Sequence, residues 1–217
     1  MSDIFHEVDE EVRRERLRQI WERYSLLIVG AAVLIVVAIA AWQGYEYWLS
    51  KKAAAAGAEF EAAVVLSEQG KHAEAEAAFT KAAADAPGGY RVLSRFRAAA
   101  EAGQIKRADG VKAYEALAAD SSLGPLWQDL ANVRAGMLLV DTAPLPEMKK
   151  RLDPLTGSDR IYRHSARELL ALSAWRNKDT AAAKHYLDMM ANDPETPPGA
   201  RSRADVLSAL IGANGKS

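Results

Sequence analysis

The chain contains no cysteine among its 217 residues. That excludes disulfides, thiol catalysis and lipid attachment through a cysteine, and it removes most zinc sites. Histidine is scarce too, with four copies. His72, His164 and His185 stand singly along helical stretches without a ligand-spaced partner. "HEVDE" at His6 resembles the start of a zinc-protease helix, but Glu10 occupies the place of the second histidine. The closing "GKS" resembles the end of a phosphate-binding loop, yet Leu210 stands where the earlier glycine belongs. No nucleophile, base and orienting group fall into a recognisable spacing. The chain is therefore expected to be no enzyme, with no catalytic, cofactor-binding or metal site. Net charge is also nearly absent at −1. Such a balance sets up no field for a polyanion, so nucleic acid is not an expected partner.

A long stretch without charge is what the sequence does have. Between Arg23 and Glu46 lie 22 uncharged residues, and Leu26 to Ala41 is almost wholly Leu, Ile, Val, Ala and Gly. As a helix rising about 1.5 Å per residue, such a run matches the ~30 Å hydrocarbon core of a bilayer. Trp21 and Tyr24 stand at one end, and Trp42, Tyr45 and Trp48 at the other. Amphipathic rings at both ends suit the two membrane interfaces, so these five are the expected interface anchors. "AIA" at Ala38–Ala40 has the small-x-small pattern of a signal-peptidase site. The region ahead of the run is long and mostly acidic, unlike the short basic start of a signal peptide, so the segment is expected to stay as an anchor.

Orientation follows from five arginines before the run (Arg13, Arg14, Arg16, Arg18, Arg23) against Lys51 and Lys52 after it. By the positive-inside rule the N-terminus is cytoplasmic and the remainder outside, which in a double-membrane bacterium is the periplasm. The expected organisation is a charged cytoplasmic helix over 1–23, with Ile4, Phe5, Val8 and Val12 on one face. A transmembrane helix over 24–45, an exported domain over 46–211 and a tail over 212–217 follow. No proline lies between the span and Gly70, so a single long helix, or nearly one, is expected to run from the bilayer into the exported domain.

Beyond Lys52 strand-type alternation is missing, and the prolines cluster at 87, 125, 144–154 and 194–198. Between them the apolar spacing is helical, predicting an all-α domain. In "AEFEAAVVLSEQGKHAEAEAAFTKAAADAP", Ala63, Ala75, Phe79, Ala82 and Pro87 take the small, small, aromatic, small and proline places of a tetratricopeptide helix pair. Small residues let antiparallel helices approach, the aromatic fills the gap to the next pair, and proline ends the second helix. Ala182, Tyr186 and Pro194 repeat the pattern, Tyr114 takes the aromatic place between them, and a degenerate unit is expected near Met148, Leu152 and Leu155. The fold class expected is all-α: one transmembrane helix, then a tetratricopeptide-like α-solenoid of three to four helix pairs with a closing helix at "ARSRADVLSALIG". First helices of such pairs line a concave groove, where Phe60, Arg167 and Trp175 are the candidate partner-binding residues. Interior packing is the competing reading for Phe60 and Trp175, and a solvated charge for Arg167.

The exit "WQGYEYWLS" (Trp42, Tyr47, Trp48, Ser50), the segment "ARELLALSAWRNKDTAAAKHYLDMM" and the helix before "IGANGKS" together resemble the ancillary SecYEG translocon subunit family (YfgM-like) of proteobacterial inner membranes. The resemblance implies a non-enzymatic partner of the protein-export channel, associated with SecYEG, with a membrane-anchored periplasmic chaperone and with exported clients. An envelope scaffold serving division or outer-membrane assembly has the same anchor and repeats, and remains the alternative.

Overall fold

The computed structural model describes residues 3–214, which form nine α-helices and no strand. The chain divides into two units, Met1–Lys52 and Ala53–Ser217. Helix α1 (Asp3–Glu68) supplies all the described residues of the first unit and, from Ala53 onward, the first helix of the second. It is one uninterrupted helix, as the absence of proline predicts. Gly44 and Gly57 lie inside it without breaking it.

In the first unit the apolar stretch is exposed on every side, with none of it buried. Leu26, Leu34 and Val36 are among the most exposed large hydrophobic side chains described. Among the described residues one helix is long and apolar enough to cross a membrane, and it is this one. Its expected interface residues Trp21, Tyr24, Trp42, Tyr45 and Trp48 all project outward. Lys52 Nζ lies 4.7 Å from the Trp48 ring centroid and Lys51 Nζ 5.6 Å from that of Tyr47. These cation–π pairs keep each ammonium beside a ring that tolerates both water and lipid. The face expected at Ile4, Phe5, Val8 and Val12 lies outside the described side chains.

The second unit is a series of helix hairpins. The end of α1 pairs with α2 (His72–Asp85), α3 (Gly88–Ile105) with α4 (Arg107–Ala119), and α5 (Pro125–Leu139) with α6 (Leu145–Leu152). The fourth pair is α7 (Arg163–Arg176) and α8 (Thr180–Ala191), and α9 (Pro198–Asn214) closes the series. The rest of the expected 212–217 tail lies outside the described residues. Prolines mark the boundaries as their missing N–H requires. Pro87 and Pro144 stand immediately before α3 and α6, and Pro125 and Pro198 open α5 and α9. Asp179 caps α8 by accepting from the Ala182 amide at 2.9 Å.

The repeat is written most clearly in positions with no side chain to speak of. Ala63, Ala99, Ala135 and Ala171 recur every 36 residues, one on the first helix of each pair, and all are buried. At each the absence of a larger side chain lets the second helix come close. The hairpin turns repeat as well. The Gly70 amide donates to Ser67 O and the Lys71 amide to Leu66 O. The Lys178 and Asp179 amides donate to Trp175 O and Ala174 O, the same two bonds three repeats later. This sets the fourth pair one residue later than the spacing of Phe79 and Tyr186 implies. Leu187 stands at the Phe79 place and Ala183 at the Ala75 place, while Ala182 is only half-buried. Tyr186 is buried beside Leu187 and donates to Asp153 Oδ1 at 2.6 Å, which explains why a tyrosine survives there. The degenerate third pair is where the spacing puts it, with Met148, Leu152 and Leu155 in the core.

Candidate functional site

Three core clusters leave the outward stripe of the first helices free. Ala63, Ala75 and Phe79 fill the first, Phe96, Ala99, Tyr114, Leu117, Ala131 and Ala135 the second, and the side chains of α5 to α9 the largest. On α3 the exposed positions include Tyr90, Leu93 and Arg97, each about one turn from the next, with Arg91, Gln104 and Ile105 exposed as well. On α5 they include Leu126, Arg134 and Met137, and on α7 Trp175.

The three candidate residues fall in three different settings. Phe60 is half-buried, its ring edge-on to Phe79 at 5.3 Å and 5.9 Å from Tyr90, so it joins the first pair to the second. Trp175 is 39 % exposed in the last turn of α7, at the place Ser67 holds in the first repeat. Arg167 is 4 % exposed. Its Nε and Nη2 donate to Thr156 O at 3.0 and 2.7 Å, and Nη1 donates to Asp193 Oδ2 at 2.7 Å and to Met189 O at 3.3 Å. The guanidinium thus ties the segment before α7 to the segment after α8 and spends its donors inside the protein.

Asp193 was not singled out by sequence reasoning, yet it is the hub of this region. It accepts from Arg163 Nε at 2.8 Å as well as from Arg167, and Arg163 also bonds Glu195. These guanidiniums hold the Asp193 carboxyl far below the usual carboxylate range, Arg163 having the largest effect. His164 sits beside them, its Nδ1 3.2 Å from Thr196 Oγ1, and burial lowers its pKa. A cleft of about 470 Å³ opens over the cluster, lined by Ser158, Met189 and Pro194 in addition to the charged groups. A second polar cluster closes the first hairpin. Glu101, buried on α3, accepts from Ser67 Oγ at 2.6 Å and faces His72 Nδ1 at 2.7 Å. Its residues lie 29 and 34 positions apart, so no local motif announces them. Among the described residues no three His, Asp or Glu side chains gather as a metal site.

Against known families, residues 18–158 match the model of a tetratricopeptide repeat-like domain, well over half of the chain. The chain belongs to this tetratricopeptide repeat-like family. No curated protein and no solved structure matched. The matched region ends before α7, whereas the turn bonds at Lys178 and the buried Ala171 carry the tetratricopeptide-like pattern through the fourth pair. A tetratricopeptide-like domain is a protein-interaction scaffold whose specificity lies in the exposed side chains of its first helices, so the exposed stripes of α3, α5 and α7 are its candidate binding surface.

Proposed function

We propose that the protein is a non-enzymatic, single-pass anchored scaffold of the bacterial inner membrane whose tetratricopeptide-like repeats bind protein partners in the periplasm. In this reading residues 1–23 are cytoplasmic, 24–45 span the membrane and 46–211 form the exported repeat domain. The partners are the SecYEG export channel, a membrane-anchored periplasmic chaperone and exported clients. The observation that carries the reading is the pairing of a wholly unburied apolar helix with a repeat domain built for protein contact. The resemblance at "WQGYEYWLS" and "ARELLALSAWRNKDTAAAKHYLDMM" supplies the translocon. Phe60 and Trp175 are proposed as aromatic contacts at the groove, and Arg167 as the residue holding its far end in shape.

Brief cross-linking in membranes, mild solubilisation and capture of the full-length chain test the proposal. Export-channel subunits together with a periplasmic chaperone are expected. Capture of division or outer-membrane assembly proteins without the channel replaces the export reading with an envelope scaffold. Topology is testable separately because the chain has no cysteine of its own. A single cysteine at exposed Lys178 is expected to react with a membrane-impermeant maleimide in spheroplasts, whereas one at Ser2 is expected to react only after lysis. The opposite pattern inverts the orientation.

A further inference from the structure

Helix α1 contains three glycines, and one of them has a use within the chain. A Cβ built on Gly57 falls 3.1 Å from Tyr90 Oη, so glycine there admits the Tyr90 ring. Gly30 and Gly44 have nothing within 4 Å. Glycine is the poorest helix former after proline, and neither position lies in a turn or takes a positive φ. The two stand 14 residues apart, which is two heptads. Leu27, Gly30, Leu34, Val37, Ala41 and Gly44 alternate steps of three and four, so they share one helix face, and all six are exposed. Lipid solvates any apolar surface and gains nothing from glycine. A second helix does gain, because helices associate in a bilayer through close packing, and small residues let their backbones approach.

The spacing continues in the sequence through Trp48 and Lys51 to Ala55, Ala58, Ala62 and Val65. Those last four form an exposed face of the first hairpin. The repeat shows what such a face does. Ser94 and Glu101 take the places of Ala58 and Val65 one repeat on, and both are buried. Glu101 meets Ser67 and His72 there, so this is the face by which a first helix packs on the pair before it. Helix α1 has no described pair before it, and its own face stays open. Lys51 is the one charge in the series, with Nζ 5.6 Å from the Tyr47 ring centroid. A single polar position in an apolar seam fixes the register of the pairing.

We propose that α1 pairs in parallel with α1 of a second copy of this chain, along the face that holds Gly30 and Gly44 and again along Ala55, Ala58, Ala62 and Val65. This inference rests on the reading of 24–45 as a membrane span and names what covers it. A second copy suits the face because its span sits in the same bilayer, at the same depth and in the same direction. Each position then meets its own counterpart, as a two-fold interface requires.

The absence of cysteine makes single cysteines reporters of this contact, with the full-length chain in its native membranes. Val37→Cys and Ala58→Cys are expected to give a covalent dimer on mild oxidation. Ile39→Cys, on the opposite face of the span, and Lys178→Cys are expected to give none. Co-expression with a copy of different length is expected to add a mixed dimer of intermediate mass. Gly30→Leu with Gly44→Leu is expected to abolish the Val37→Cys cross-link while the chain stays in the membrane fraction. Equal cross-linking at Ile39 and Val37, or none at Val37 and Ala58, overturns the pairing. A product whose mass is not that of two copies also overturns it and gives the face to a different protein. Release of the chain by alkaline carbonate overturns the anchor reading itself, whatever the cross-links show.

Discussion

At the scale of single residues, the turn between α7 and α8 stores a small strain that its counterpart avoids. Gly70 takes a φ of 73° in the first hairpin, and the equivalent Lys178 is forced to 62° in the fourth. Left-handed backbone costs an L-residue about 1–2 kcal/mol, and glycine gives back part of that through its larger unfolded-state entropy. Lys178→Gly is therefore expected to raise stability by up to about 1 kcal/mol, read as a shift of a few degrees in the thermal melt. The exposed lysine makes no ion pair with a described residue, so no lost contact offsets the gain. Arg167 poses the opposite case. Its donors serve two carbonyls and the half-buried Asp193, so Arg167→Ala leaves a carboxylate and a peptide oxygen short of partners. It is expected to lower the melting temperature well beyond Arg203→Ala, whose pair with Glu168 is open to solvent on the arginine side. Sequence reading weighed Arg167 as a groove residue or a solvated charge, because its partners are 11 to 26 positions away and two of them are backbone carbonyls.

At the scale of elements, the close approach of helices is governed by the smallest side chains. α3 crosses α4 closely, and a Cβ built on Gly110 falls 2.5 Å from Gly103 Cα and 2.7 Å from Gly103 N. Both neighbours are backbone, so no side chain can swing aside and the helices must part. Gly110→Ala is expected to destabilise by about 1–3 kcal/mol in denaturant unfolding despite alanine's better helix propensity. Gly89, in the first turn of α3, has nothing within 4 Å and serves as the control, with Gly89→Ala neutral or slightly stabilising. The same physics decided what could be read beforehand. Helix pairs, proline boundaries, the membrane-length run and the degenerate third unit were legible because each rests on residue type at local spacing. The ladder Ala63, Ala99, Ala135, Ala171 was equally present in the sequence, but alanine is too common here to stand out beside Phe79, Tyr114 and Tyr186. Those aromatics fixed the period to within one residue and misplaced the fourth pair, because Tyr186 and Leu187 are both buried and only the turn bonds reveal which one matches Phe79. Of the candidate site, Phe60 was legible as an aromatic on a first helix, whereas the cluster at Asp193 joins arginines 26 and 30 positions away and needed the segments around α7 and α8 brought together.

At the scale of the whole molecule, the ion pairs that join distant segments set how stability responds to acid. Three groups report the same sign. His164 has its pKa lowered from 6.5, chiefly by burial and then by Arg163, so the folded protein resists its protonation. Asp120 is lowered from 3.8 to about 2 by bonds from Ser122 and Arg95 that fasten the turn between α4 and α5 to α3. Asp193 is lowered further by Arg163 and Arg167. A group whose folded pKa is depressed contributes stability that is present above its unfolded pKa and lost as pH falls toward the folded value. The melting temperature of the repeat domain is accordingly expected to be level above about pH 6.5 and to decline slightly as His164 is titrated. It then falls steeply below about pH 4, as the two aspartates are protonated in the unfolded chain while the fold still holds them ionised. The two steps separate by substitution: His164→Gln removes the shallow one, and Asp120→Asn lowers stability at neutral pH while flattening the acid limb. A melt that stays level down to pH 3 removes these carboxylates from the forces that hold the hairpins in series, and leaves that role to the alanine-packed cores alone.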